Sequence, residues 1–155
     1  MTSLTGEFLA QKRIAIAGVS RHPSTHGANS VYRRLKARGY VVYAVNPNAT
    51  SVEGDRAFPD LRSIPGGVDG VVIGTAPHHA ASIVRECKEL GISRVWMHGG
   101  PAESSASSDA VEFCRANDIS VIPGGCPLMF GPTADFGHRC MRWVLELRGT
   151  IPKGI

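Results

Sequence analysis

Five strand-length runs rich in apolar residues punctuate the chain, at residues 13–17, 40–45, 70–74, 94–97 and 120–122. Most are continuously apolar and do not alternate. A strand with one wet face alternates, so continuous runs mark strands covered on both faces, as in a parallel sheet. Helical patterns lie between them. Residues 30–38 offer Val31 and Leu35 on one face. Residues 77–90 offer Ala80, Ile83, Val84, Cys87 and Leu90, with Gly91 as a stop. Residues 104–117 offer Ala110, Val111 and Cys114. This order predicts an α/β fold: a doubly wound parallel sheet of about five strands with right-handed crossovers. Residues 50–68 lack a full helix and predict one short strand near Glu53 and a helical turn near Leu61. In the tail, Phe136, Cys140, Trp143, Val144 and Leu147 recur at helical spacing, with Gly149 after them. They predict an added C-terminal helix over about 133–148, its apolar stripe packed against the sheet or against a twin subunit in a homodimer.

A chain of 155 residues without repeat or linker reads as one domain over 1–155, with its core in 13–130. The net charge of +4 suits an anionic ligand. The densest basic stretch, YRRLKAR from Tyr32 to Arg38, fits the exposed face and C-terminal half of a helix. Aromatic residues are 6% of the chain and none alternate with the basic ones, which argues against nucleic acid. No apolar run approaches the ~20 residues needed to cross a bilayer, and the amino terminus has no basic-then-apolar signal pattern. The four cysteines show no CxxC spacing. A reducing, cytoplasmic setting is the expectation.

In an open α/β sheet, ligands lie beyond the carboxyl ends of the strands. The residues there are Gly18-Val19-Ser20-Arg21, Asn46-Pro47-Asn48, Thr75-Ala76-Pro77, His98-Gly99-Gly100 and the turn from Pro123 to Pro127. All are rich in glycine, proline and small polar groups. After the first strand, Gly18 permits a tight turn, Ser20 offers a hydroxyl, Arg21 adds charge, and a helix entry near Asn29 and Ser30 presents amides to an anion. A dinucleotide fingerprint needs G-x-G-x-x-G here, and only its first glycine is present. After the second strand, NAD-binding proteins place a carboxylate on the ribose. This chain has VNPN, with no acid until Glu53. A carboxylate there would repel a 3′-phosphorylated ribose, so neutral Asn46, Pro47 and Asn48 argue against NAD and are compatible with coenzyme A.

The stretches IAIAGVS, NSVYRRLKARGYVVYAVNPN, VDGVVIGTAP, GISRVWMHGG and ISVIPGGCPLMF together resemble the CoA-binding domain family. Its small members are similar to the amino-terminal domain of the succinyl-CoA synthetase alpha subunit. The resemblance covers about residues 13–130 and implies a Rossmann-like fold that binds CoA, or acyl-CoA, in extended form. It implies phosphate contacts from Gly18, Val19, Ser20 and Arg21. Asn46, Pro47 and Asn48 would border the 3′-phosphoadenosine. Thr75, Ala76 and Pro77 would line the adenine or pyrophosphate, and Met97 and His98 the pantetheine arm. Two departures stand out. The first loop is long and carries His22 and His26, and position 98 is a histidine where the synthetase has a carboxylate.

Other residues invite chemistry. No HxH or HExxH spacing occurs, and the adjacent His78 and His79 point some 100° apart on a helix, so no metal site is expected. His98 and Cys126 both follow strands and would make a thiol–imidazole pair if they met; the alternative is a cysteine packed in a turn fixed by Pro127. Asp135, near His138 and Arg139, suits the dipole at the start of the last helix. The synthetase transfers phosphate through a histidine in a second domain, for which the stretch after Phe130 is too short. The expectation is a non-catalytic CoA-binding module. The alternatives are a subunit of an acyl-CoA synthetase-like enzyme and an NAD(P)-binding oxidoreductase.

Overall fold

The structure, a computed structural model, describes residues 3–22, 27–100, 104–131, 134 and 136–149. His26 and Asp135 lie outside the described residues. Seven strands form one sheet: β1 Arg13–Ala17, β2 Val41–Val45, β3 Ser51–Val52, β4 Asp55–Phe58, β5 Gly70–Ile73, β6 Arg94–Met97 and β7 Ser120–Pro123. Their order across the sheet is β3-β4-β2-β1-β5-β6-β7. Every pairing is parallel except that of β3 with β4. The helices are α1 Leu4–Leu9, α2 Gly27–Ala37, α3 Pro77–Glu89, α4 Ser108–Ala116 and α5 Phe136–Leu147. The Rossmann-like α/β expectation is met, with two strands more than the five expected.

Burial on both faces explains the continuous apolar runs. Along β1, Ile14 and Ile16 join one core cluster, with Phe8, Val31, Leu35 and Trp96. Ala15 and Ala17 join the other, with Val84, Cys87, Val111 and Cys114. Thus α1, α2 and α5 cover one face, while α3 and α4 cover the opposite one. Trp96 is fully buried, with Phe8 edge-on at 5.4 Å and Phe130 at 5.5 Å, and its indole N–H donates to the carbonyls of Gly124 and Gly125.

Four local expectations change. The strand expected near Glu53 is a hairpin, and Glu53 is in its turn with φ +52, followed by Gly54 with φ +80. Positive φ at both central residues is the signature of the turn that best matches strand twist, which usually reads Asn-Gly or Asp-Gly. Near Leu61 the chain makes turns, with the amide of Ile64 bonded to the carbonyl of Leu61, and no helix. The helix expected from Ser104 starts at Ser108, because Ser104 bridges Gly99 and the Ser105 amide donates to the carbonyl of His98. Ser107 is the cap instead, accepting from the Ala110 amide at 3.2 Å. Helix α5 exists, but its expected stripe is not packed on this chain. Phe136 is 82% exposed, Trp143 64% and Leu147 63%. Leu145 and Met141 dock it instead, with Arg142 stacked 4.6 Å over the Phe130 ring.

Candidate ligand cleft

The strand order reverses between β1 and β5: β2 lies to one side of β1, while β5, β6 and β7 extend to the other. A crevice opens at such a switch point because the connections leave in opposite directions. Here a cleft of about 840 Å³ opens beyond the carboxyl ends of β1, β2, β4 and β5.

Close packing builds its floor. Gly18 has φ +94, and a Cβ there would lie 2.8 Å from the backbone of Gly74. A Cβ on Gly74 would lie 2.7 Å from the Cβ of Ala28 on α2. A Cβ on Gly27, the first residue of α2, would lie 2.7 Å from the His98 ring. The start of α2 therefore presses onto the ends of β1, β5 and β6. In a G-x-G-x-x-G loop the last glycine provides close helix–strand packing. In this chain Gly74, just past the end of β5, takes that role.

The loop after β1 is held by two asparagines. Asn29 is fully buried. Its Oδ1 accepts from the Ser20 amide and its Nδ2 donates to the Ser20 carbonyl, both at 2.8 Å. The same Nδ2 donates to Glu53 Oε1 at 2.7 Å, and Arg33 donates to that oxygen at 2.7 Å. Asn46 donates from Nδ2 to the Val19 carbonyl at 2.9 Å and accepts the Asn48 amide on Oδ1 at 2.8 Å. The amides of Gly18 and Ser20 are thus committed within the protein, as is that of His22, which donates to Ser20 Oγ. Gly27 and Ala28, the first residues of α2, line the cleft, and first-turn amides have no partner within their own helix.

Of the residues singled out from the sequence, Gly18, Ser20, Asn46, Pro47, Asn48, Thr75, Ala76, Pro77 and His98 line this one cleft. Val19 and Met97 have fully buried side chains in the two core clusters, so only their backbone faces the loop ends. Arg21 is exposed and outside the lining, and Cys126 is buried in the Trp96 cluster and also outside it. The expectations missed a whole wall. His79, Ser82 and Glu86 project from α3 at spacings of three and four, and Asp60 follows β4. The spacing was readable, but the wall's position depends on β4, which had not been expected.

That wall carries charge. Asp60 Oδ1 accepts from the Ser63 hydroxyl and amide at 2.6 and 2.8 Å. These bonds, the hydroxyl's first, hold its carboxyl below the usual range, so it is ionised at neutral pH. Glu86 accepts the Arg62 amide at 3.0 Å. The strand end at Asn46-Pro47-Asn48 is free of acids, as the sequence states, but the cleft as a whole is not. In the same cleft, Thr75 Oγ1 is buried without a hydrogen-bond partner among the described residues. An orphaned hydroxyl costs about 1–3 kcal/mol unless a ligand engages it. No cluster of three or more metal-ligating side chains is present among the described residues. Nor does any helix among them have the length and apolarity to cross a membrane.

An open, doubly wound sheet with a glycine-floored cleft at its switch point defines a Rossmann-like binding domain. The family model for the CoA binding domain matches residues 12–132, and the chain belongs to that family. It is 32% identical over 83 residues to an ADP-forming acetate–CoA ligase II of Archaeoglobus fulgidus, a match covering 52% of this chain and 12% of the ligase. It is 33% identical over 89 residues to the alpha subunit of the corresponding Pyrococcus furiosus ligase, covering 57% of this chain and 19% of the subunit. The aligned part is thus under a fifth of either relative. A hypothetical protein of Pyrococcus horikoshii OT3 superposes with a TM-score of 0.73 at 24% identity, over 89% of both chains. A dinucleotide-forming acetyl-coenzyme A synthetase of Ca. Korarchaeum cryptofilum, solved with phosphate and ADP, superposes at 0.64 and 21% identity, over 80% of this chain and 28% of that one. The latter two likenesses concern the fold.

Proposed function

We propose that the chain binds coenzyme A or an acyl-CoA in the cleft and has no turnover of its own. The observation that carries this reading is the floor at the switch point. There the α2 amides, the Ser20 hydroxyl and the orphaned Thr75 hydroxyl all border one crevice. These are donors for phosphate oxygens, and a CoA supplies several phosphates to accept from them. Asp60 and Glu86 are acceptors, suited to an amino-bearing base and repellent to phosphate. The phosphates therefore belong at the α2 side and the base toward the α3 wall. Pro47 and Asn48 border the ribose. His98, against the first turn of α2, stands on the path of the pantetheine arm. Asn46 and Asn29 act through the loop they hold.

Calorimetry tests this with three ligands. CoA should bind, dephospho-CoA more weakly, and NADH not at all. Absence of CoA binding at millimolar ligand, or equal affinity for dephospho-CoA, would reject the reading.

The relatives' names favour one other reading, in which a separate chain supplies ligase chemistry and this one presents the CoA. Incubation of this chain with acetyl-CoA, ADP and phosphate distinguishes the two. No ATP should form with the chain alone, and ATP appearing only with a co-purified partner would establish the second reading.

A further inference from the structure

The exposed stripe on α5 has a period of its own. Phe136, Cys140, Trp143 and Leu147 are spaced four, three and four apart, the spacing of a coiled-coil seam. The opposite side of the same helix docks on this chain through Met141 and Leu145, so the seam faces outward. Phe136, Trp143 and Leu147 are each more than 60% exposed, a continuous apolar ridge on a helix of 12 residues, about 18 Å long.

We propose that this ridge pairs with the same ridge of a second copy, antiparallel about a two-fold axis. The argument is self-complementarity. In an antiparallel arrangement Phe136 meets Leu147 of the second copy, and Cys140 meets its Trp143, each contact occurring twice. One flank then sets Gly137 opposite Val144, a small residue against a branched one. The other flank sets Arg139 opposite Glu146. Arg139 is exposed and has no ion pair among the described residues. Glu146 accepts from Arg142 Nε at 2.7 Å through Oε1, which leaves its second oxygen for a cation across the seam. A parallel pairing would instead set Arg139 against Val144 and form no such pair. The charges therefore select both the partner and its direction. The seam is short, which places the dimer at the weak end of specific association. It does not depend on what the cleft binds.

Sedimentation of the full chain over a micromolar to high-micromolar series is the test, with thermal melts confirming that every variant folds. The wild-type chain should pass from monomer to dimer. Trp143→Glu should be monomeric throughout, with CoA titration unchanged. Arg139→Glu should weaken the dimer about tenfold, because two attractive contacts become repulsive. The double variant Arg139→Glu/Glu146→Arg should recover the wild-type constant, since the swap restores opposite charges across the axis. A wild-type chain that stays monomeric overturns the proposal, including the outcome in which it dimerises only after residues 150–155 are removed. A dimer unaffected by Trp143→Glu places the interface elsewhere. Failure of the double variant to recover rules out the antiparallel geometry.

Discussion

Asn29 separates the two ways a residue can serve a binding site. It touches the loop after β1 and is not among the residues lining the cleft. Replacing it by alanine removes three hydrogen bonds, and the Ser20 amide and carbonyl and the Glu53 carboxylate each lose a partner. Leaving such groups unpaired costs about 1–3 kcal/mol each, so Asn29→Ala should destabilise the chain by about 2 kcal/mol or more in urea titration. It should also weaken CoA binding at least as much as Ser20→Ala, which loses one hydroxyl worth about 1 kcal/mol. If Asn29→Ala unfolds earlier yet binds CoA normally, the loop does not need the latch. Gly18→Ala is the backbone counterpart. Its φ of +94 and the 2.8 Å approach to Gly74 leave no place for a methyl, so the two strand ends must part. The expected loss is about 1–3 kcal/mol, read by thermal melting. Most of the cleft's near side was legible from position alone, since strand-end residues identify themselves once the strands are placed. The latch was not. The sequence places a helix entry near Asn29 and Ser30, whereas the helix begins at Gly27 and Asn29 lies inside its first turn. Only the fold shows its side chain reaching back nine residues to Ser20.

At the scale of elements, the sequence was clearest where both faces of a strand are buried and least clear where a local signal was atypical. The hairpin of β3 and β4 turns on Glu-Gly, and a glutamate at positive φ carries a backbone cost that no local rule anticipates. Glu53 tolerates it because Asn29 and Arg33 hold its carboxylate from α2. Helix α1 has no periodic signature because six residues are too few to carry one, though Ser3 caps it and Phe8 anchors it on Trp96. Helix α5 forms as its spacing predicts, but of the two coverings expected for its stripe, the sheet of this chain is not the one. Periodicity identifies an apolar stripe and does not say which molecule covers it. Two substitutions separate the faces. Leu145→Ala empties a site 5% exposed and should cost about 2–3 kcal/mol in denaturant titration. Trp143→Ser, tested at concentrations where the chain is monomeric, should shift stability by under about 0.5 kcal/mol. Equal losses at the two positions would mean that Trp143 packs on its own chain.

For the whole molecule, the two core clusters differ in how they respond to alkali. The cluster under α3 and α4 holds two thiols, Cys87 and Cys114, both buried. Burial, and secondarily the nearby Cys114, pushes the Cys87 thiol up from 9.0 to about 12, while burial pushes Cys114 up to about 11. On the opposite face, burial raises the phenols of Tyr32, which donates to Asp55, and Tyr40 above their ordinary value of 10.0. In each case the folded state holds its proton where the unfolded chain has released it. A raised pKa contributes stability that is whole below the unfolded value and is lost as pH climbs toward the folded one. The melting temperature should therefore hold steady up to about pH 9, then fall, with the thiols acting first and the phenols adding to the slope above about pH 10. A Cys87→Ala/Cys114→Ala chain should start from a lower melting temperature, since it loses packed sulfur from the core. It should then decline less between about pH 9 and pH 10, because the two buried thiols are no longer there to ionise on unfolding. Parallel curves for the two chains would show that the thiols do not govern the alkaline limit, and would shift the cause to the tyrosine face of the sheet.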